Sequence, residues 1–261
     1  MEKEIRCACA ADIEPLKRLW AECFPKDTEY SRFFFERVFR LRCARVCTLD
    51  GEVAAMLHSF PYDFATPDAV LHAKYIYGVG TAKKYRGLGI AGELLENEAN
   101  DCDFTVIIPQ SESLFDFYKK HGFCELFKIS RIQAAPGEEK TLVPAGRDDI
   151  QSLNTMYEKM CRGSIYPIRT PDKWETLIAE HEFLGGGISL FDGGYCVHYK
   201  NGEHMEISEL CFPSGTSPFG YECVACCPGD ETPIGAARLI SERAREIFAK
   251  GYNRYLNLMH N

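Results

Sequence analysis

The chain has 261 residues, enough for one large domain or two smaller ones with buried cores. With 38 acidic against 30 basic residues the net charge is −8, which disfavours non-specific nucleic-acid binding, and no basic tail is present. The first residues, MEKEIRCACA, carry charges where a signal peptide needs an apolar core, and no apolar run is long enough to cross a bilayer. A cytoplasmic protein without membrane or nucleic-acid partners is therefore expected, its thirteen cysteines reduced.

Ile5 to Cys9 is short and alternating enough for a first strand. Asp12 then N-caps a helix with Ile13, Leu16, Leu19, Trp20 and Cys23 on one face. A second helix fits Glu29 to Phe39, burying Phe33, Phe34, Val38 and Phe39. Arg45 to Leu49 and Val53 to Phe60 form a hairpin through Asp50-Gly51, a strong turn signal. Pro61 and Pro67 are expected to bracket a loop.

Ala73 to Glu98 reads as strand, loop and helix. Tyr75, Ile76, Tyr77 and Val79 are β-formers, and Ile90, Ala91, Leu94 and Leu95 recur at helical spacing. Between them lies Lys83-Lys84-Tyr85-Arg86-Gly87-Leu88-Gly89, where glycines let a ligand approach and the incoming helix leaves its first N–H groups unpaired. Such a turn suits an anion. Phe104 to Pro109 is an apolar run of the buried-strand kind, Ser113 to His121 a short helix ending at Gly122, and Phe123 to Ile132 a further strand.

The pattern then recurs. Asp149-Ile150-Gln151-Ser152-Leu153 repeats Asp12-Ile13-Glu14-Pro15-Leu16, with Met156 and Tyr157 where Leu19 and Trp20 stood. A helix follows Pro171, Asp192-Gly193 turns a second hairpin, and His204 to Phe212 takes the place of the glycine-turn strand. No basic glycine turn follows it; Pro213, Ser214 and Gly215 open a loop reaching Pro228-Gly229. A helix from Pro233 to Lys250 and a strand from Tyr252 to Met259 are expected to close the chain. Cys223, Cys226 and Cys227 are clustered, but no second ligand pair accompanies them, so no metal is expected.

Gly87-Leu88-Gly89-Ile90-Ala91-Gly92 satisfies G-x-G-x-x-G, and Glu112 follows about 20 residues later, as in a dinucleotide-dependent oxidoreductase. The context opposes that alternative. The polar stretch Thr81 to Arg86 separates strand from glycines, hairpins precede it, and Glu112 falls beyond the tip of the next strand. The phosphate-loop signature fails, since neither Lys-Ser nor Lys-Thr follows the glycines.

Val79-Gly80-Thr81 followed by Lys84 to Ala91 instead resembles the acyl-CoA motif R/Q-x-x-G-x-G/A of the GNAT N-acetyltransferase superfamily, and Tyr118-Lys119-Lys120-His121-Gly122-Phe123 resembles its Tyr-x-x-x-Gly-Phe segment. Read from Lys84, the motif departs at its first position, and Lys lacks the bidentate geometry of Arg. The resemblance covers about residues 4 to 133, and the whole chain resembles the enhanced-intracellular-survival type, which pairs an active GNAT domain with a degenerate one. It implies an α+β fold with mixed sheets, a catalytic domain over 1–135 and a degenerate GNAT-like domain over 136–261.

For chemistry the resemblance implies direct acetyl transfer from acetyl-CoA to an amine of a small molecule or peptide. Val79, Gly80 and Thr81 would pair with the pantetheine arm, while Arg86 and the N–H groups of Gly87, Leu88, Gly89, Ile90, Ala91 and Gly92 would hold the pyrophosphate. Tyr118 stands at the position of the general acid, and Ser113 and Leu114 match positions that contact CoA; an N-cap and a core leucine are the ordinary readings of the last two. Three candidates compete for the base: His58, the C-terminal carboxylate of Asn261, or water. A non-catalytic acyl-CoA-binding regulator would keep the same turn.

Overall fold

The computed structural model describes residues 2–201, 204–212, 216–229 and 231–258. The chain forms two compact units that interleave along the sequence: 1–63, 71–124 and 236–249 in the first, 64–70, 125–235 and 250–261 in the second.

In the first unit, β1 (Lys3–Cys7), β2 (Ala44–Leu49), β3 (Glu52–Ala65, its last two residues in the second unit), β4 (Val70–Thr81) and β5 (Phe104–Ile107) lie side by side in that order, followed by the end of β13 (Thr232–Leu239). The outer pairs are antiparallel; β4 and β5 run parallel, giving a mixed sheet. Asp50 and Gly51, at φ +50° and +81°, close the β2–β3 hairpin in the left-handed geometry that Asp-Gly favours. Helix α1 (Ile13–Cys23) buries Leu16, Leu19 and Trp20. Helix α2 (Thr28–Phe33) runs into a π-helical turn over Phe34–Val38, where Phe39 N–H bonds to Phe34 C=O at 2.7 Å. Helices α3 (Ile90–Glu98) and α4 (Glu112–Lys119) pack Ile90, Leu94, Leu95 and Tyr118 into a core with Leu57, Ile76, Ile107 and Phe123.

The second unit repeats much of this plan. A 3₁₀ turn at Ala10–Asp12 leads into α1, and another at Arg147–Asp149 leads into α5 (Ile150–Met160). Both turns are tied by the same bond: Asp12 Oδ2 accepts from Cys9 N–H at 2.7 Å, and Asp149 Oδ2 from Gly146 N–H at 2.9 Å. Leu153 and Tyr157 are buried as Leu16 and Trp20 are. In this sheet β6 (Cys124–Ala134), β12 (Cys223–Pro228), β11 (His204–Cys211), β10 (Gly194–Asn201), β9 (Gly187–Phe191) and β7 (Val143–Pro144) are neighbours in that order, and the one parallel pair is β11 with β12. Beside them lie β8 (Tyr166–Pro167) and α6 (Pro171–Phe183). Among the described residues no helix separates β11 from β12, whereas α3 separates β4 from β5.

At its centre Glu209, 0 % exposed, takes two 2.7 Å bonds from Arg169 and further bonds from Tyr195, Tyr255 and Asn257. The guanidinium stacks over Tyr157 at 3.9 Å. Every oxygen of this buried carboxylate is thus satisfied, which is the condition for tolerating such a charge.

Several expected elements differ. Pro61 lies inside β3, at an exposed position where a missing N–H is tolerated. The loop expected to reach Pro228 contains β12, and the helix expected from Pro233 is a strand to Leu239 followed by α7 (Glu242–Ala249). Tyr252 to Leu258 makes a single bridge, Arg254 with Ile165, in place of a strand. Pro213, Ser214, Gly215, Met259 and Asn261 lie outside the described residues. No described helix is long and apolar enough to cross a membrane.

Candidate active site

The strand before the glycine turn is shaped by two glycines and a short neighbour. β4 pairs with β5 only at Ala73–Phe104, Lys74–Thr105 and Tyr75–Val106, because β5 ends at Ile107 while β4 continues to Thr81. The β4–β5 ladder thus ends at Tyr75–Val106, and Gly78 to Thr81 run on past the end of β5, where an extended ligand has room to lie. Within this stretch Gly78 has φ +59°, the signature of a β-bulge, and a Cβ there would stand 2.8 Å from Trp20 Cζ3. At Gly80 a Cβ would stand 3.0 Å from Cys23 Sγ.

After Thr81 the chain is held tightly before it reaches the glycines. Ala82 N–H bonds to Ala54 C=O, Lys83 N–H to the Glu22 carboxylate at 2.5 Å, and Lys84 Nζ to Glu52 at 2.6 Å. Arg86 Nε donates to Thr81 C=O at 3.0 Å, which leaves the terminal nitrogens of an exposed guanidinium available. Of the three cations here, Lys84 pairs with Glu52, while the exposed Arg86 side chain bonds to Thr81 C=O and lies beside Cys23.

Gly87 and Gly89 adopt φ +82° and +77°, and a Cβ at either would meet nothing within 4 Å. Their need for glycine is conformational, and the space above them is open. Gly89 is the N-cap of α3; the first hydrogen bond into the helix is Glu93 N–H to Gly89 C=O at 3.2 Å. Among the described residues, no backbone partner is recorded for the N–H groups of 87 to 92. They cluster at the positive end of the helix dipole, as an anion site requires. Taken from Arg86, with the cap at Gly89, Arg86-Gly87-Leu88-Gly89-Ile90-Ala91 meets R/Q-x-x-G-x-G/A in full.

Gly92 has a different reason to be glycine. A Cβ there would lie 2.3 Å from His121 Cε1, so the residue lets α3 approach the end of α4. Only its N–H, not its lack of a side chain, faces the turn. Leu88 is 53 % exposed, while Ile90 is buried in the core and contributes its backbone alone.

Tyr118 sits in α4, 6 % exposed, between the rings of Phe117 and Phe123 at 5.1 and 5.7 Å. It lies within electrostatic reach of Tyr75 on β4, and burial pushes its phenol well above the usual value. Ser113 is exposed and hydrogen-bonds to Ser111, which is the actual N-cap of α4. Leu114 is 37 % exposed, so neither residue is the ordinary cap or core leucine its sequence context allows.

His58 is 0 % exposed on β3, ringed by Trp20, Phe34, Phe39 and Phe60. Burial pushes its pKa down to about 3, which makes it a poor proton acceptor at neutral pH. Among the described residues no group of three His, Cys, Asp or Glu is placed to hold a metal; the Cys227 side chain lies outside them.

Residues 4–126 match the family model described as an acetyltransferase (GNAT) domain. Comparison with curated proteins finds no match. Among solved structures, a GCN5-related N-acetyltransferase from Anabaena variabilis ATCC 29413 is similar at 16% identity and TM-score 0.72, over 92% of this chain and 73% of that one. A conserved protein from Enterococcus faecalis V583, described as a probable N-acyltransferase, gives 14% and 0.70 over 94% and 74%. Eis1 from Mycobacterium abscessus gives 13% and 0.64 over 91% and 74%. At such identities these likenesses establish the fold.

Proposed function

Residues 4–126 belong to the GNAT acetyltransferase family, and from that premise we propose that this acyltransferase moves an acetyl group from acetyl-CoA to a primary amine by direct transfer. The observation that carries the reading is the pair of left-handed, unobstructed glycines at the cap of α3, directly after a strand that runs on past its parallel neighbour.

Acetyl-CoA would supply the activated thioester. Residues Val79 to Thr81 offer backbone groups to its extended arm, and the N–H groups of Gly87 to Gly92 with Arg86 offer donors to its pyrophosphate. The chief contribution is positioning: a thioester fixed beside an oriented amine removes much of the entropic barrier. The bulge at Gly78 turns backbone N–H groups out of the strand ladder, where they can meet a carbonyl oxygen as it gains charge. Tyr118 donates toward the departing sulfur, its phenol kept protonated by burial. With His58 enclosed and neutral, the proton of the amine passes to water.

We assign residues 1–135 as the catalytic half and 136–261 as a second GNAT-like half without a donor site, with 236–249 packing in the first compact unit and 64–70 and 125–135 in the second. Support comes from the repeated 3₁₀ turn and helix, the parallel β11–β12 pair, and the absence of a helix between those strands among the described residues. The test is thiol release from acetyl-CoA with a panel of spermidine, kanamycin and a lysine-containing peptide. Turnover above hydrolysis with at least one amine is expected. Tight CoA binding without amine-dependent turnover would make the protein an acyl-CoA binder instead.

A further inference from the structure

His58 is expensive to keep where it is. Neither ring nitrogen has a hydrogen-bond partner among the described residues, although the Tyr77 backbone lies within reach of the ring as a weak acceptor. Its neighbours are apolar or aromatic: Phe34 edge-on at 4.9 Å, Trp20 and Phe39 at 5.8 Å, and Phe60 stacked at 6.3 Å. An apolar side chain in this box would avoid the cost of burying two unpaired polar atoms, so packing does not account for an imidazole here.

The direction in which it points gives the account. Nδ1 lies 3.1 Å from where a Cβ of Gly78 would be, hard against the left-handed residue that bends β4. The Tyr77 backbone, one residue before Gly78, is the polar group that reaches the ring. We propose that His58 is a positioning residue for acetyl transfer, its imidazole fixing the peptide planes of the Tyr77-Gly78-Val79 bulge when the donor lies along β4. A neutral imidazole carries one donor and one acceptor nitrogen, so it can bond to a bulge C=O or N–H as the bulge settles around the thioester. The contact with the Tyr77 backbone would tighten as the donor fills the site. The inference rests on acetyl-CoA occupying the β4 edge.

The test compares His58→Leu, His58→Phe and His58→Gln with the unaltered full chain. Acetyl-CoA binding is measured by calorimetry, and steady-state kinetics use the best amine of the panel above. The Leu and Phe variants should melt no lower than the parent and bind acetyl-CoA within about threefold, yet lose about tenfold or more in kcat; His58→Gln, which retains a donor and an acceptor, should recover part of it. Nitrogen NMR of labelled histidine should show the His58 ring neutral from pH 5 to 9, with its Nδ1 resonance moving on addition of acetyl-CoA. An unchanged kcat in the Leu and Phe variants, or an Nδ1 signal indifferent to acetyl-CoA, overturns the assignment and leaves the acetyltransferase reading intact. If the parent fails to bind acetyl-CoA, the reading of the site falls and the role of His58 falls with it.

Discussion

Replacing Tyr118 by Phe removes one oxygen from a residue that is 6 % exposed and held between Phe117 and Phe123, and no hydrogen bond from the hydroxyl is recorded among the described residues. Stability should therefore change by no more than about 1 kcal/mol. The kinetic effect is set by proton affinities. A thiol has a pKa near 8.5, whereas burial raises the Tyr118 phenol above its usual value of about 10. Complete proton transfer to the sulfur would thus be uphill, and in the proposed acid role the phenol would act chiefly as a hydrogen-bond donor that hands over its proton late. That places the loss at the lower end of general acid catalysis, about 10²-fold in kcat, or about 3 kcal/mol of transition-state stabilisation. Thiol release measured at saturating acetyl-CoA and amine should show this fall with the KM for acetyl-CoA little changed. A Tyr118→Phe enzyme within threefold of the parent kcat would refute the acid role.

Other consequences concern packing and charge. Asp12, 5 % exposed, has its carboxyl lowered to about 2, chiefly by the hydrogen bond from Arg6, so its stabilising contribution of about 2 kcal/mol is full above the unfolded value near 4 and is lost as pH falls toward 2. Urea denaturation of Asp12→Asn should show that deficit at pH 7 and only a small remainder at pH 2, where the native carboxyl is half protonated. Arg169→Met leaves Glu209 buried without its cation and should cost about 3–5 kcal/mol; a loss under 1 kcal/mol would contradict the charge accounting. Gly92→Ala should cost about 1–3 kcal/mol through its clash with His121, and His121→Ala in the same chain should recover most of it if contact, not ligand loss, is the cause.

The strand, turn and helix of the site were legible because each rests on local chemistry. Apolar runs placed β4, α3 and β5, glycines marked the turn, and Asp50-Gly51 and Asp192-Gly193 closed hairpins where expected. What escaped depends on distant partners. Residues 232–239 carry a helix-like pattern, but Ala236 to Leu239 pair with Ile107 to Phe104, and that ladder outweighs local propensity. The tail from Tyr252 was misread because Tyr255 and Asn257 are anchored by side-chain bonds to Glu209 and not by a strand ladder. Nothing in the sequence distinguishes Gly78 and Gly92 from the turn glycines, since a bulge and a close approach to His121 exist only in the folded chain. The same holds for His58, whose enclosure, which lowers its pKa, exists only in the folded chain.

The central claim, that the glycine turn at the cap of α3 binds acetyl-CoA, is tested most directly by calorimetric titration of acetyl-CoA and NAD into the parent protein and into Gly89→Asp. Aspartate tolerates the left-handed backbone better than most residues, and the space around Gly89 is open, so the variant should fold. Its carboxylate would stand where the pyrophosphate is placed. The parent should bind acetyl-CoA and not NAD, and Gly89→Asp should lose acetyl-CoA binding while melting within a few degrees of the parent. Equal acetyl-CoA binding by the two proteins, or a parent that binds NAD in its place, would contradict it.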